Sequence, residues 1–194
     1  MFGHGDVGFF DRIAPLYDAA MPPAHAEDLR AGLAFAHRPI ERVVDLGGGT
    51  GRASRTLRDL GIDATVVDYS AGMLRRARDD GLAAVRADAA TLPVRDAGVD
   101  AVVVTDALHH FPDPEAAVRE VARTLAPGGV LVVREFDPST RRGRALAALE
   151  SVAGMDSRFF AADALAAVFD DAGLRGHVVD PGFGYTAAGV KPSA

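Results

Sequence analysis

The sequence has no cysteine and no tryptophan, and its only lysine, Lys191, stands against 20 arginines. Without cysteine there can be no disulfide, no thiolate metal site and no thiol nucleophile. A formal net charge of −6 also leaves no basic stripe, so nucleic acid is not an expected substrate. No stretch approaches eighteen uninterrupted apolar residues, and no membrane span is expected. The opening MFGHGDVGFFDR lacks the charged-then-apolar order of a secretory leader, which makes the cytoplasm the expected compartment. The six histidines are scattered except for His109-His110, and neither H-x-x-x-H nor H-E-x-x-H occurs, so no metal centre is expected from a motif. What remains is ordinary for a globular protein, 48% apolar and 25% charged, at a length suited to one well-buried domain.

The chain is organised around VVDLGGGTG, Val43 to Gly51. Its apolar start reads as a buried strand that reaches a sheet edge at Asp45. The glycines let the backbone turn sharply and approach a ligand closely, because no Cβ intervenes. A helical pattern follows at Arg52, Ala53, Leu57 and Leu60, so the loop is a strand-to-helix turn. In open α/β sheets, ligands bind outside the carboxyl ends of the strands, where such a loop lies. Gly47, Gly49 and Gly51 give G-x-G-x-G. The dinucleotide fingerprint G-x-G-x-x-G would need its third glycine at position 52, which is Arg52.

Around this loop the chain divides into three parts. Residues 1 to 40 hold two expected helices, one through Phe9, Phe10, Ile13, Leu16 and Tyr17 and one after Pro22-Pro23. Residues 41 to 136 alternate strand and helix. Strands are expected at Ala64–Val67, Leu82–Ala87, Val99–Val104 and Val130–Phe136, the last following a turn at Pro127-Gly128-Gly129. Ser70 and Asp113 head the intervening helices, with Pro114 in the first turn of the second. Residues 137 to 194 read as helices at about 141–152 and 162–172, then two strands tied by Pro181-Gly182. So short a connection permits only an antiparallel hairpin. The expected architecture is a single α/β domain, a Rossmann-like parallel sheet with helices on both faces and a C-terminal antiparallel hairpin.

Four successive strands end in an aspartate: Asp45, Asp68, Asp88 and Asp106. Side by side in a parallel sheet, these strands would bring all four acids to one rim. Carboxylates accept hydrogen bonds and repel phosphate, so the rim suits hydroxyls, amines and cations. Aspartate is also a common strand-end and cap residue, and the chain carries many.

With Asp45 in front of it, the loop reads D-x-G-x-G-x-G and resembles the first motif of the class I S-adenosylmethionine-dependent methyltransferases. VVDYSAGML (Val66 to Leu74), RADAATLPVRDAGVDAVVV (Arg86 to Val104) and ALHHFPDPEAAVREVARTLAPGGVLVV (Ala107 to Val133) are similar to its later segments, in order and at matching intervals. FDRIAPLYD, Phe10 to Asp18, looks like the N-terminal segment of the quinone-biosynthesis branch, in which such a helix forms part of a lid. The resemblance implies S-adenosylmethionine as cofactor. Asp68 would accept the ribose hydroxyls, Tyr69 and Met73 would flank the adenine, and Asp88 with the Ala89 N–H would read the adenine edge. Gly47, Gly49 and Gly51 would pass under the methionyl and ribose parts, with Asp45 near the amino group and Thr105 near the methionyl group. The implied partner is a small-molecule methyl acceptor entering between the N-terminal helices and residues 137–160. The resemblance to the quinone branch is partial, because no further signature follows the third block.

Methyl transfer needs alignment and exclusion of water more than a catalytic triad. A base is required only for a protonated acceptor. His110 and Tyr17 are the candidates, against plain roles in loop structure and core packing. Arg141-Arg142-Gly143-Arg144 is either an anion site or a solvated helix start. Two other functions fit the same residues less closely: a module that binds S-adenosylmethionine without transferring its methyl, and a nicotinamide-dependent oxidoreductase.

Overall fold

The computed structural model describes residues 6–20 and 23–193; the sequence expectations that touch Met1–Gly5, Met21-Pro22 and Ala194 lie outside the described residues. Seven strands form one sheet in the order β3-β2-β1-β4-β5-β7-β6. They are β1 Val43–Leu46, β2 Ala64–Asp68, β3 Ala84–Arg86, β4 Val99–Thr105, β5 Leu125–Phe136, β6 Arg175–Asp180 and β7 Gly184–Val190. β1 to β5 pair in parallel, whereas β7 runs antiparallel to both β5 and β6, between which it lies. The parallel sheet with a reversed last strand is thus as the sequence indicates. The helices are α1 Val7–Ala20, α2 Ala26–Leu33, α3 Arg52–Asp59, α4 Ala71–Asp79, α5 Pro114–Thr124, α6 Arg141–Val152 and α7 Ala162–Asp171, with a 3-10 turn at Leu108–His110.

Alternation along the strands builds two cores. Val43, Ala101, Val103, Val130 and Val132 face α2 and α3 through Leu29, Leu33, Ala53 and Leu57. Val44, Val102, Val104, Leu131 and Val133 face α5 and α7 through Val118, Val121, Leu165 and Phe169. A parallel sheet covered on both faces needs such continuous apolar runs. The helix starts follow their caps: Ser70 Oγ accepts from Met73 N, and Asp113 Oδ1 accepts from Ala116 N.

Two boundaries differ from the sequence reading. Leu82 donates to Ala77 O and Gly81 has φ +74, so Leu82 closes the end of α4 and β3 starts only at Ala84. Pro127-Gly128-Gly129 does not separate α5 from a later strand. β5 begins at Leu125 opposite Val99, and the three residues form an irregularity before Ala101 pairs with Val130. Gly128 N and Lys191 N exchange bonds with Lys191 O and Gly129 O, which holds the irregularity against the end of β7.

Candidate active site

The order β3-β2-β1-β4 places the expected rim strands beside one another. Beyond their carboxyl ends lies a cavity of about 300 Å³. Its walls include Asp45, Gly47, Gly49, Asp68, Tyr69, Met73, Asp88, Ala89 and Thr105, together with Tyr17 and His110. Gly51 is the one expected site residue behind the wall rather than on it: a Cβ there would stand 2.2 Å from Leu82 Cδ1, so it packs the loop against α4's end.

The loop is held by backbone geometry. Gly47, Gly49 and Gly51 have φ of +66, +57 and +87, a region that disfavours other L residues. A Cβ at Gly47 would fall 2.8 Å from Ala107 Cβ, and one at Gly48 2.5 Å from Asp45 Cγ. At Gly49 only Met73 Sδ lies near, at 3.9 Å, so this position opens to the cavity. Gly47 N donates to Val67 O at 2.7 Å and Gly49 N donates to Asp68 Oδ2 at 2.9 Å, tying the loop to β2.

The four rim acids have different surroundings. Asp45 is fully buried, and its Oδ2 accepts from Ser54 N at 3.0 Å and Ser54 Oγ at 2.7 Å. Its Oδ1 has no hydrogen-bond partner among the described residues. Burial pushes its carboxyl up to about 6, against the two Ser54 bonds, which pull it down. Asp68 takes Gly49 N on one oxygen and Ser70 N on the other, at 2.7 Å; burial raises its pKa while these bonds oppose the shift. Asp88 accepts from Ala90 N at 2.8 Å in a local turn. Asp106, with φ +53, is neutralised by Arg52 at 3.0 Å and by Arg134. Only three of the four acids are therefore left for a ligand, and no local pattern marks the two arginine partners, which come from other elements. Arg52 is doubly informative, since the residue that breaks the dinucleotide fingerprint is buried in an ion pair with Asp106.

The remaining wall comes from α1, which contributes Val7, Phe10 and Tyr17. Asp11 anchors this helix by accepting from Ser70 Oγ at 2.5 Å and Gly72 N at 2.8 Å, bonds that lower its pKa. Asp6 anchors the other end, meeting His110 Nδ1 at 2.9 Å and accepting from Asp156 N at 3.1 Å. Burial, reinforced by neighbouring His109, lowers His110 to about 4. It is therefore neutral at pH 7, as a proton acceptor must be. Thr105 Oγ1 is buried beside the same space without a hydrogen-bond partner among the described residues. Tyr69 carries Arg86 over its ring at 4.9 Å, and Arg52 stands over Tyr17 at 5.6 Å. Asp6, Asp11 and Arg52 had no signal in the sequence, because their partners lie on other elements. Arg141, Arg142 and Arg144 are exposed at the start of α6, which Thr140 caps, in keeping with a solvated helix start.

Sheet order, reversed last strand and glycine loop together define the class I methyltransferase fold. Residues 44–133 match the family described as a methyltransferase domain, and the fold around them is that of the class I S-adenosylmethionine-dependent methyltransferases. The demethylmenaquinone methyltransferase of Beutenbergia cavernae is 40% identical over 141 residues, covering 69% of this chain and 58% of that protein. The same-named protein of Renibacterium salmoninarum is 34% identical over 141 residues, again 69% of this chain and 60% of the relative. The chain thus spans a little under two thirds of these relatives, which link it to the quinone-biosynthesis branch. Among solved structures, an S-adenosylmethionine-dependent methyltransferase of Thermotoga maritima superposes with a TM-score of 0.79 at 24% identity, over 95% of this chain and 98% of that one.

Proposed function

We propose that the chain transfers a methyl group from S-adenosylmethionine to a small-molecule acceptor. The observation that carries this reading is the buried, unpartnered Asp45 Oδ1 on the wall of a cavity floored by a glycine loop. Such an atom is costly to bury alone and is complementary to an ammonium group. Asp68 is held in place by backbone donors and suits the ribose hydroxyls, with Tyr69 and Met73 beside the adenine and Asp88 and Ala89 at its edge. Gly47 and Gly49 leave room for close backbone approach, and Thr105 Oγ1 is available to the methionyl end. The carboxylates that share this wall would repel a pyrophosphate. When bound, the cofactor supplies a methyl group already activated by its sulfonium.

The protein's share is to align and to keep out water. α1, pinned at Asp6 and Asp11, acts as a lid over the cavity, and the acceptor enters between this helix and residues 137–160. His110, neutral and oriented by Asp6, accepts a proton from a hydroxyl or acidic carbon. The demethylmenaquinone methyltransferases support a quinol-like acceptor as the first compound to try. The test has two arms. Calorimetric titration with S-adenosylmethionine and with nicotinamide dinucleotides is expected to show binding of the former alone. An acceptor panel beginning with reduced naphthoquinones is then assayed for S-adenosylhomocysteine. Preference for the dinucleotide would reject the cofactor assignment, and cofactor binding without S-adenosylhomocysteine from any acceptor would favour a non-catalytic module.

A further inference from the structure

Behind His110 lies a cluster whose other members, His109 and Glu150, methyl transfer does not use. His109 and His110 leave the 3-10 turn after β4, and Glu150 reaches them from the last turn of α6. One ligating atom from each of the three lies within 4.8 Å of the others, and His109 Nε2 is 3.8 Å from Glu150 Oε1. Each imidazole is engaged at Nδ1 by a separate carboxylate, His109 by Glu135 Oε2 at 2.6 Å and His110 by Asp6 Oδ2 at 2.9 Å. These carboxylates are themselves fixed: Glu135 Oε1 accepts from His109 N at 3.3 Å, and Asp6 Oδ1 accepts from Asp156 N. A carboxylate on Nδ1 selects the tautomer whose Nε2 lone pair is free, the arrangement that stands behind metal-bound histidines. Phe159 stacks on His109 at 4.4 Å and Phe10 meets His110 edge-on at 4.9 Å, which fixes both rings.

The charges do not balance without a cation. Glu135, Glu150 and Asp6 converge on two imidazoles, and among the described residues these carboxylates form ion pairs with the histidines alone. Glu150 Oε2 is buried with no hydrogen-bond partner among the described residues. A buried carboxylate oxygen in that condition is costly, and buried charges are ordinarily paired or coordinate a metal.

We propose that His109, His110 and Glu150 bind a divalent first-row transition cation of the zinc class, with Glu135 and Asp6 orienting the two imidazoles. Two nitrogens and one carboxylate oxygen suit such an ion. Ligands at tetrahedral zinc distances lie roughly 3.4 Å apart, so small side-chain movements close the site around an ion. Three protein ligands leave a fourth position open. Because His110 lines the cavity, an acceptor oxygen would take that position, an extension that alone rests on the methyl-transfer reading.

The test titrates the chelator-stripped full chain with Co²⁺ and follows its visible absorption. One equivalent per chain, with the strong bands of a four-coordinate site and displacement by Zn²⁺, is the expected result. Glu150→Gln should weaken binding by at least roughly 100-fold, and Asp6→Asn by about 10–100-fold, as loss of an orienting partner does. Glu150→Gln should meanwhile keep its circular dichroism and its S-adenosylmethionine affinity; if it does not fold, His109→Gln, which does not line the cavity, serves in its place. Absence of a stoichiometric Co²⁺ complex overturns the proposal, as does a complex that these substitutions leave unchanged. The readout needs neither methyl donor nor acceptor, so a negative result leaves the methyl-transfer reading intact.

Discussion

The cavity has two unlike halves. On the β1–β3 side the wall is made of backbone: a glycine loop with three positive φ angles, and carboxylates that accept main-chain N–H groups. On the α1 side it is made of side chains drawn from far apart, Asp6 with His110 across 104 residues, backed by His109 with Glu135 across 26. Backbone determines shape whatever the side chains are, so the first half suits a cofactor common to many enzymes. Side-chain assemblies can be exchanged singly, so the second half suits an acceptor that differs between relatives.

The largest expected effect would break the backbone half. Gly51→Ala puts a Cβ into Leu82 at φ +87 and should cost about 2–4 kcal/mol of stability by urea denaturation. Gly49→Ala, with only Met73 Sδ at 3.9 Å, should cost about 1–2 kcal/mol, since conformation alone is strained. Equal costs at the two positions would mean the loop is not packed as described. Asp68→Ala should weaken S-adenosylmethionine binding by about 1.5–3 kcal/mol in calorimetry. An unchanged affinity would remove Asp68 from the cofactor site.

The pH dependence sharpens the comparison. A carboxyl raised from 3.8 to about 6, as at Asp45, stabilises the free fold below 3.8 and loses that contribution as pH rises through about 6. Binding of a cation runs the other way, because it needs the ionised form. Affinity for S-adenosylmethionine should therefore rise about tenfold from pH 5 to 7, and Asp45→Asn should flatten the profile. The smallest effect belongs to the other half. Glu150→Gln should alter cofactor affinity by less than about 0.5 kcal/mol, because it shares no partner with the glycine loop.

The same division explains what could be read from the sequence. The strand–helix alternation, the reversed hairpin and the positions of Asp45, Asp68, Asp88 and the glycines follow from local signals: apolar runs, turn residues and caps. Leu82 reads as strand yet closes a helix, and Pro127-Gly128-Gly129 reads as a turn yet bends a strand, since each residue type serves both roles. Asp106 looked like a free rim acid, although Arg52 and Arg134 neutralise it across 54 and 28 residues. Glu135 and Glu150 carry no motif at all. Their meaning arises only when β5 and α6 bring them to His109, and no spacing rule anticipates a contact between separately folded elements.

β7 has a consequence for biosynthesis. The strand occupies the slot between β5 and β6 but comes last of the seven in the chain. During translation, the hydrogen-bonding flank of β5 stays bare until residues 184–190 leave the ribosome, with Val130 to Val133 ready to template a foreign strand. A chain interrupted before that point would hold a complete glycine loop yet carry an adhesive seam, so its fate would be association with other chains rather than partial function.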